Sequence, residues 1–320
     1  MRGTDVDLRC STLTRELGVN PTGTAGSWHR VLLVELPLPW PRSIEDHPLL
    51  AAVDAHAPSG RTHRILALAS ALSPEEAAPD DGLRVICYWR PTDVPFLRFE
   101  RAEICAPEDG VAEIVSHLIE AEDDELAALP ADSFAAGPAA IPHTVRDLLV
   151  CTHGKRDRCC GKLGTELFRS LCATMPTGVR LWRTSHTGGH RFAPTGLSFP
   201  DGGTWAGIDE ELALGLIDRT IPAAVAARRA RGSAGVPTGP AQVADAAGLA
   251  TIGWAWLDVE RQVSIATGDE DTTVSITAGD RTYTAVVHAG PDVPVPDCGN
   301  PLDEARKSMV DWHLVAFDEA

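Results

Sequence analysis

The chain has 320 residues, 44% hydrophobic and 23% charged, a composition that folds rather than stays disordered and a length that suits two or three compact units. Its 28 Lys and Arg against 45 Asp and Glu give a formal charge of -17, which repels phosphate backbones and anionic lipid, so neither nucleic acid nor a membrane is expected as a partner. The start, MRGTDVDLRC, has scattered charges and no apolar stretch of a secretory signal. The first apolar run, residues 31–36, is far below the ~20 residues that span a bilayer. A cytoplasmic location is expected. Thiols stay reduced there, so the eight cysteines read as buried thiols or metal ligands rather than disulfides.

In chain order, the first third reads as a strand over 31–36, a helix near 47–57, a strand over 63–69, an acidic loop over 73–82, strands over 83–90 and 96–100, and a helix over 111–121. Short runs rich in Val, Ile and Leu between turn signals suit strands buried on both faces. Residues 135–142 (AAGPAAIP) mark a linker or a domain edge. Beyond it the order repeats: a strand over 147–151, a helix over 159–173, a strand over 179–184, a hairpin of 195–199 and 204–208 around PDGG, and a helix from its N-cap Asp209 to about Arg219. This βαβ-ββα order is the thioredoxin topology, present twice.

Residues 230–240 (ARGSAGVPTGP) read as a flexible connection, and the remainder as a helix near 241–250 with strands over 262–266, 272–277 and 281–288. That meander carries no evident chemistry, and an interaction or capping role is its expectation. The expected fold is therefore α/β: two tandem thioredoxin-like βαβ-ββα domains, residues 1–140 and 141–230, followed by a small α+β domain over 241–320.

Four side chains with metal-binding heads fall in two tight pairs, Cys151 and Cys160 in CTHGKRDRCC, and His186 and His190 in HTGGH. Each pair follows a predicted strand, where a βαβ fold gathers its loops. Gly188 and Gly189 keep the histidines off a helix and let the backbone wrap closely around a cofactor. The remaining cysteines, Cys10, Cys87, Cys105, Cys172 and Cys298, read as packing or surface thiols. Cys159 reads as a spare thiol or one that exchanges with Cys160. Spacing alone leaves two metal readings, a tetrahedral zinc that stabilises an interaction module and a [2Fe-2S] cluster in which histidines replace two cysteines. A thiol-disulfide oxidoreductase acting through Cys159 and Cys160 is a third reading, although the chain lacks Cys-x-x-Cys there.

CTHGKRDRCCGKLG followed by HTGGHRFAPTGLSFPDG, with GTAGSWHRVLLVELPLPWP and the CST at Cys10, resembles the sucrase/ferredoxin-like family of thioredoxin-like ferredoxins over about residues 10–219. The resemblance implies a [2Fe-2S] cluster on Cys151, Cys160, His186 and His190 in the bis-histidinyl manner. It also implies electron transfer to or from a separate redox partner protein, and pairing into a homodimer. Two thiolates and two neutral imidazoles make the oxidised cluster formally neutral, which favours accepting an electron and raises the potential above the roughly -400 mV of plant-type ferredoxins. Reduction makes the imidazoles more basic, so proton-coupled transfer is expected. His153, Arg156, Arg158 and Cys159 would surround the cluster and tune it, with Lys155 beside them and Asp157 pairing with Arg156 or capping the following helix. The first unit lacks such pairs and reads as a cluster-free scaffold or docking surface. Neither a carboxylate pair for glycoside hydrolysis nor a nucleotide-binding glycine loop is evident.

Overall fold

The computed structural model describes residues 9–58, 60–70, 82–92, 94–129, 147–268 and 270–320. The chain starts with α1 (Cys10–Glu16) and enters β1 (Arg30–Glu35), which is buried along its whole length. Alternate side chains of a strand face opposite ways. Leu32 and Val34 therefore pack on one face against helix residues Val115 and Leu118, while Val31 and Leu33 join the core on the other. Next come β2 (His63–Ser70), β3 (Leu83–Trp89), β4 (Glu100–Ala106), α2 (Val111–Glu120) and α3 (Asp123–Ala127). The second block is β5 (Asp147–Cys151), α4 (Thr165–Cys172), β6 (Arg180–Thr184), β7 (Gly196–Phe199), β8 (Gly203–Trp205), α5 (Glu210–Asp218) and α6 (Ala223–Ala227). Then follow β9 (Ala230–Ser233), α7 (Gly239–Ile252), β10 (Arg261–Thr267), β11 (Asp271–Ala278), β12 (Arg281–Pro294) and β13 (Ser308–Glu319).

Nine strands form one sheet in the order β4-β3-β1-β2-β6-β5-β7-β8-β9, and four form a second, β10-β11-β12-β13. Within the large sheet a pattern repeats. β1 is parallel to β2 and antiparallel to β3, as β5 is parallel to β6 and antiparallel to β7. The blocks meet where β2 and β6 pair antiparallel through Leu68↔Thr184, Ala69↔Arg183 and Ser70↔Trp182. These pairs lie at the C-terminal ends of both strands, so the loops that follow β1 and β5 are brought together.

The large sheet curls. Tyr88 of β3 stacks on Phe199 of β7 with centroids 4.4 Å apart, and its hydroxyl donates to Asp147 of β5. Asp147 also accepts from Arg180 at 2.7 and 2.8 Å and from the Trp182 indole at 2.7 Å. Glu103 of β4 binds Arg84 at 2.9 Å and Arg180 at 2.9 Å. Both carboxylates are fully buried and each is paired, as an interior charge requires.

Several elements differ from expectation. The helix near 47–57 is replaced by short 3-10 turns at Ile44–Asp46 and Pro48–Leu50, with Pro48 lacking an N–H donor and Pro58 closing the stretch. The strand expected over 96–100 begins only at Glu100, and Phe96 instead bridges to Arg261 of β10. Residues 230–240 are not a free connection: β9 pairs with β8, and α7 begins at Gly239. The meander gains a fourth strand, β13, that sequence reading passed over. The linker expected over 135–142 and most of the acidic loop over 73–82 lie outside the described residues. Among those described, no helix is long and apolar enough to cross a membrane.

Candidate metal centre

β5 ends in Cys151, and the chain turns back on itself before a helix whose first part is a π turn, Cys160–Gly164, running into α4. The return is tight. A Cβ on Gly164 would lie 1.9 Å from the Cys151 carbonyl oxygen, and one on Gly161 would lie 2.5 Å from the Cα of Gly154. Asp157 caps this start, its Oδ1 accepting from the amides of Cys159 at 2.8 Å and Cys160 at 3.2 Å. Consecutive residues on a helix point about 100° apart, so Cys159 and Cys160 diverge into different surroundings.

Cys160 turns to Cys151. Their sulfurs and a ring nitrogen of His186 lie within 4.8 Å of one another. Hydrogen bonding from Cys160 pulls Cys151 well below the usual thiol range despite its burial, while the same bond and burial push Cys160 up. The His186 loop is held from two sides: its amide donates to His153 Nδ1 at 3.2 Å, and its carbonyl accepts from Arg64 at 2.8 Å. Because Nδ1 of His153 accepts, its proton sits on Nε2, which donates to the Pro41 carbonyl at 2.8 Å. Burial lowers the pKa of His153, keeping this ring neutral. Trp40 meets the same ring edge-on at 5.8 Å. The Nδ1 of His186 is buried without a hydrogen-bond partner.

Gly188 and Gly189 both have positive φ, 81° and 63°. Beneath Gly189 lies the buried Arg231 of β9, whose Cζ would be 2.4 Å from an added Cβ. Its guanidinium donates to the Gly188 carbonyl at 3.2 Å and to Thr24 at 3.1 and 2.5 Å. Burial and Arg191 lower it to about 9, against the pull of Cys160 and Cys151. This interior cation was hidden in the sequence because it lies in a stretch whose Gly and Pro content suggested a loop.

The fourth expected ligand, His190, lies beside His186 with ring centroids 5.9 Å apart. Its Nδ1 faces a second cluster, 3.3 Å from Cys10 Sγ and 3.2 Å from Asp157 Oδ2. There Cys159 Sγ is 3.2 Å from Cys298 Sγ, which is 3.4 Å from Cys10 Sγ. Hydrogen bonds from Cys10 and Cys298 draw Cys159 far below the usual thiol range, and its bond to Cys10 pushes that thiol up. Burial opposes ionisation of Asp157, yet His190 and the Cys160 amide hold it at about 2. Cys10 and Cys298, read from the sequence as packing or surface thiols, therefore stand in a second cluster beside the first. Their separation along the chain removed every spacing signal.

Lys155, Arg156 and Arg158 are exposed. Arg158, with Arg9 and Lys162, rims an open pocket of about 460 Å³ that reaches Cys159 and Cys298. The mouth of the cysteine region is thus basic on a chain of net charge -17.

Neither the curated proteins nor the solved structures give a match to this chain. The family model described as sucrase/ferredoxin-like matches residues 21–232, which run from ahead of β1 to β9 and include Cys151, Cys160, His186 and His190. The chain belongs to the sucrase/ferredoxin-like family.

Proposed function

We propose that this protein is an electron carrier holding a [2Fe-2S] cluster on Cys151, Cys160, His186 and His190. The carrying observation is the convergence of two buried thiols and one imidazole at the ends of β5 and β6, with the His186 Nδ1 left unpartnered in the interior. A buried nitrogen without a partner carries a desolvation cost, which a metal-bearing ligand bound by these side chains would relieve. The donor set, two thiols and two imidazoles, suits iron and sulfide. His190, on the same loop, would supply the fourth ligand through its Nε2, which faces Asp297 at 3.6 Å, while its Nδ1 stays on Asp157.

When bound, such a cluster supplies one-electron chemistry. The protein's own residues do the rest. His153 and Arg64 fix the His186 backbone from opposite sides. Arg231 places a cation behind the HTGGH loop, where it favours added negative charge. The buried Ala193 and the partly buried Leu163 pack against the thiols and limit water. The basic rim of Arg9, Arg158 and Lys162 would meet an acidic patch on a separate redox partner. A cytoplasmic location and pairing into a homodimer belong to the same reading. The second block, with its βαβ-ββα order, is read as the thioredoxin-like ferredoxin unit, and the first as its scaffold.

The test is the absorption spectrum of anaerobically purified full-length protein, with iron and acid-labile sulfide assayed on the same sample. Red-brown bands that bleach with dithionite, accompanied by two irons and two sulfides per chain, are expected. Colourless protein that also fails to take up iron and sulfide on reconstitution would end this reading.

A further inference from the structure

We propose that Cys10, Cys159, Cys298 and Asp157 form a second metal site, separate from the Cys151, Cys160 and His186 group, that takes one thiophilic divalent cation of the zinc class. The three sulfurs and a carboxylate oxygen lie within 4.8 Å of one another. Cys10 and Cys159 are buried, Asp157 is 8% exposed, and Cys298 closes the cluster on its outer side. All three cysteines are free thiols.

Packing does not account for this set. Three small apolar side chains would fill the space without burying a carboxylate among sulfurs, which is costly unless something cationic or hydrogen-bonding compensates. The protein itself supplies hydrogen bonds to both carboxylate oxygens, which fixes this anion among the sulfurs. Asp157 Oδ1 is engaged by the helix amides at 2.8 and 3.2 Å, whereas Oδ2 faces Cys10 at 3.6 Å. His190 Nδ1 meets Oδ2 from the far side at 3.2 Å, and Ser11 Oγ donates to Cys159 Sγ at 3.2 Å. Ligands steadied by an outer layer of hydrogen bonds are the arrangement that metal sites use.

The donors select the cation. Thiolates disfavour magnesium and calcium, which bind through oxygen, and favour zinc in tetrahedral geometry. Zinc-sulfur bonds of about 2.3 Å set tetrahedral sulfurs ~3.8 Å apart. The sulfur pairs here, at 3.2 and 3.4 Å, need only a small outward movement to reach it.

Such a site would act as a staple. Cys298 is 139 residues from Cys159 and 288 from Cys10, so one ion would tie α1, the start of the α4 helix and the segment between β12 and β13. The last of these has little regular structure, a 3-10 turn at Leu302–Glu304 apart. Closing such long loops is where a cross-link restricts the unfolded chain most. Cys159 and Cys160, adjacent in sequence, would then serve two different centres. The site does not depend on the nature of the group held by Cys151 and Cys160.

The experiment is metal analysis of full-length protein purified anaerobically, with iron, sulfide and zinc counted per chain. One zinc is expected in the wild type, lost in Cys10→Ser and Cys298→Ser and kept in Cys151→Ala. Protein stripped of metal and titrated with cobalt(II) should show sulfur-to-cobalt charge-transfer absorption that Cys298→Ser abolishes and Cys151→Ala retains. Circular dichroism on each variant separates loss of the site from loss of the fold. Should Cys298→Ser misfold, alkylation of folded wild type reads the same site: zinc should protect Cys298 from iodoacetamide. Zinc content unchanged in the folded Cys10 and Cys298 variants would overturn the proposal. So would a Cys159-Cys298 disulfide in zinc-free protein, or no cobalt or zinc uptake by the reduced chain. Iron and sulfide report on the other centre, so each reading can fail alone.

Discussion

The two blocks of the large sheet share their strand order and sense, but they leave their first strands differently. β1 runs from Glu35 into Leu36-Pro37-Leu38-Pro39-Trp40-Pro41, and prolines without an N–H allow only short 3-10 turns before β2. β5 ends at Cys151 and returns through glycines 154, 161 and 164 into a helix start that swings Cys160 back beside it. The proline loop does not hold donors, yet it builds the wall: Pro41 and Trp40 both meet His153. In this molecule the strands are a repeated frame, and the candidate site lies in the connections.

The largest effect that could break this comparison is at the thiols. Cys151→Ala or Cys160→Ala should abolish iron binding and visible colour, whereas Cys87→Ala in the first block should lower stability and leave the iron count unchanged. Iron retained in both second-block variants would dissolve the asymmetry.

Next is the buried network that ties β3 and β4 to β5 and β6. Asp147→Ala removes one of the two carboxylates that hold Arg180 and should cost about 3–5 kcal/mol in urea unfolding. Burial works against the Asp147 charge, but Arg180 and Arg101 outweigh it and hold its pKa well below 3.8. The unfolded chain therefore binds this proton first. The contribution is complete above the ordinary carboxylate pKa and is lost as pH falls below it toward the folded value. A stability profile in which the wild type and the variant decline in parallel below pH 4 would rule out this origin.

A smaller effect is expected at the HTGGH loop. Gly189→Ala meets both a φ of 63° and the Arg231 guanidinium, and should cost about 1–3 kcal/mol in thermal unfolding. A glycine that faces no such obstacle, Gly60 in the first block, gives the control for positive φ alone. Equal losses at the two sites would remove Arg231 from the account.

The subtlest signal is electrochemical. If reduction raises the basicity of the imidazoles, the midpoint potential should fall by up to about 59 mV per pH unit where one proton accompanies one electron. A potential flat from pH 5 to 10 would separate electron from proton transfer.

Much of the second block was legible from its residues. The strand 147–151 was read to the residue, and Asp209 does cap α5 by accepting from Leu212 at 2.8 Å, because strong local patterns decide such elements. Asp157 likewise caps the helix that follows it, as its type and place suggested. The first connection and β9 were misjudged, since proline-rich segments and a Gly-containing strand are settled by what they pack against. Arg231 shows why: a buried arginine is stable in β9 only because the Gly188 carbonyl and Thr24 receive its protons.

The sequence by itself determined the repeated order of strands and the proximity of Cys151 to Cys160, and of His186 to His190, because these depend on local periodicity and short loops. Tertiary structure alone decided that the blocks join through β2 and β6 and that His190 Nδ1 turns toward Asp157. It alone brought Cys10 and Cys298, 288 residues apart, to 3.4 Å. Contacts across such distances leave no period or spacing in the chain, and only the packing of whole elements brings them together.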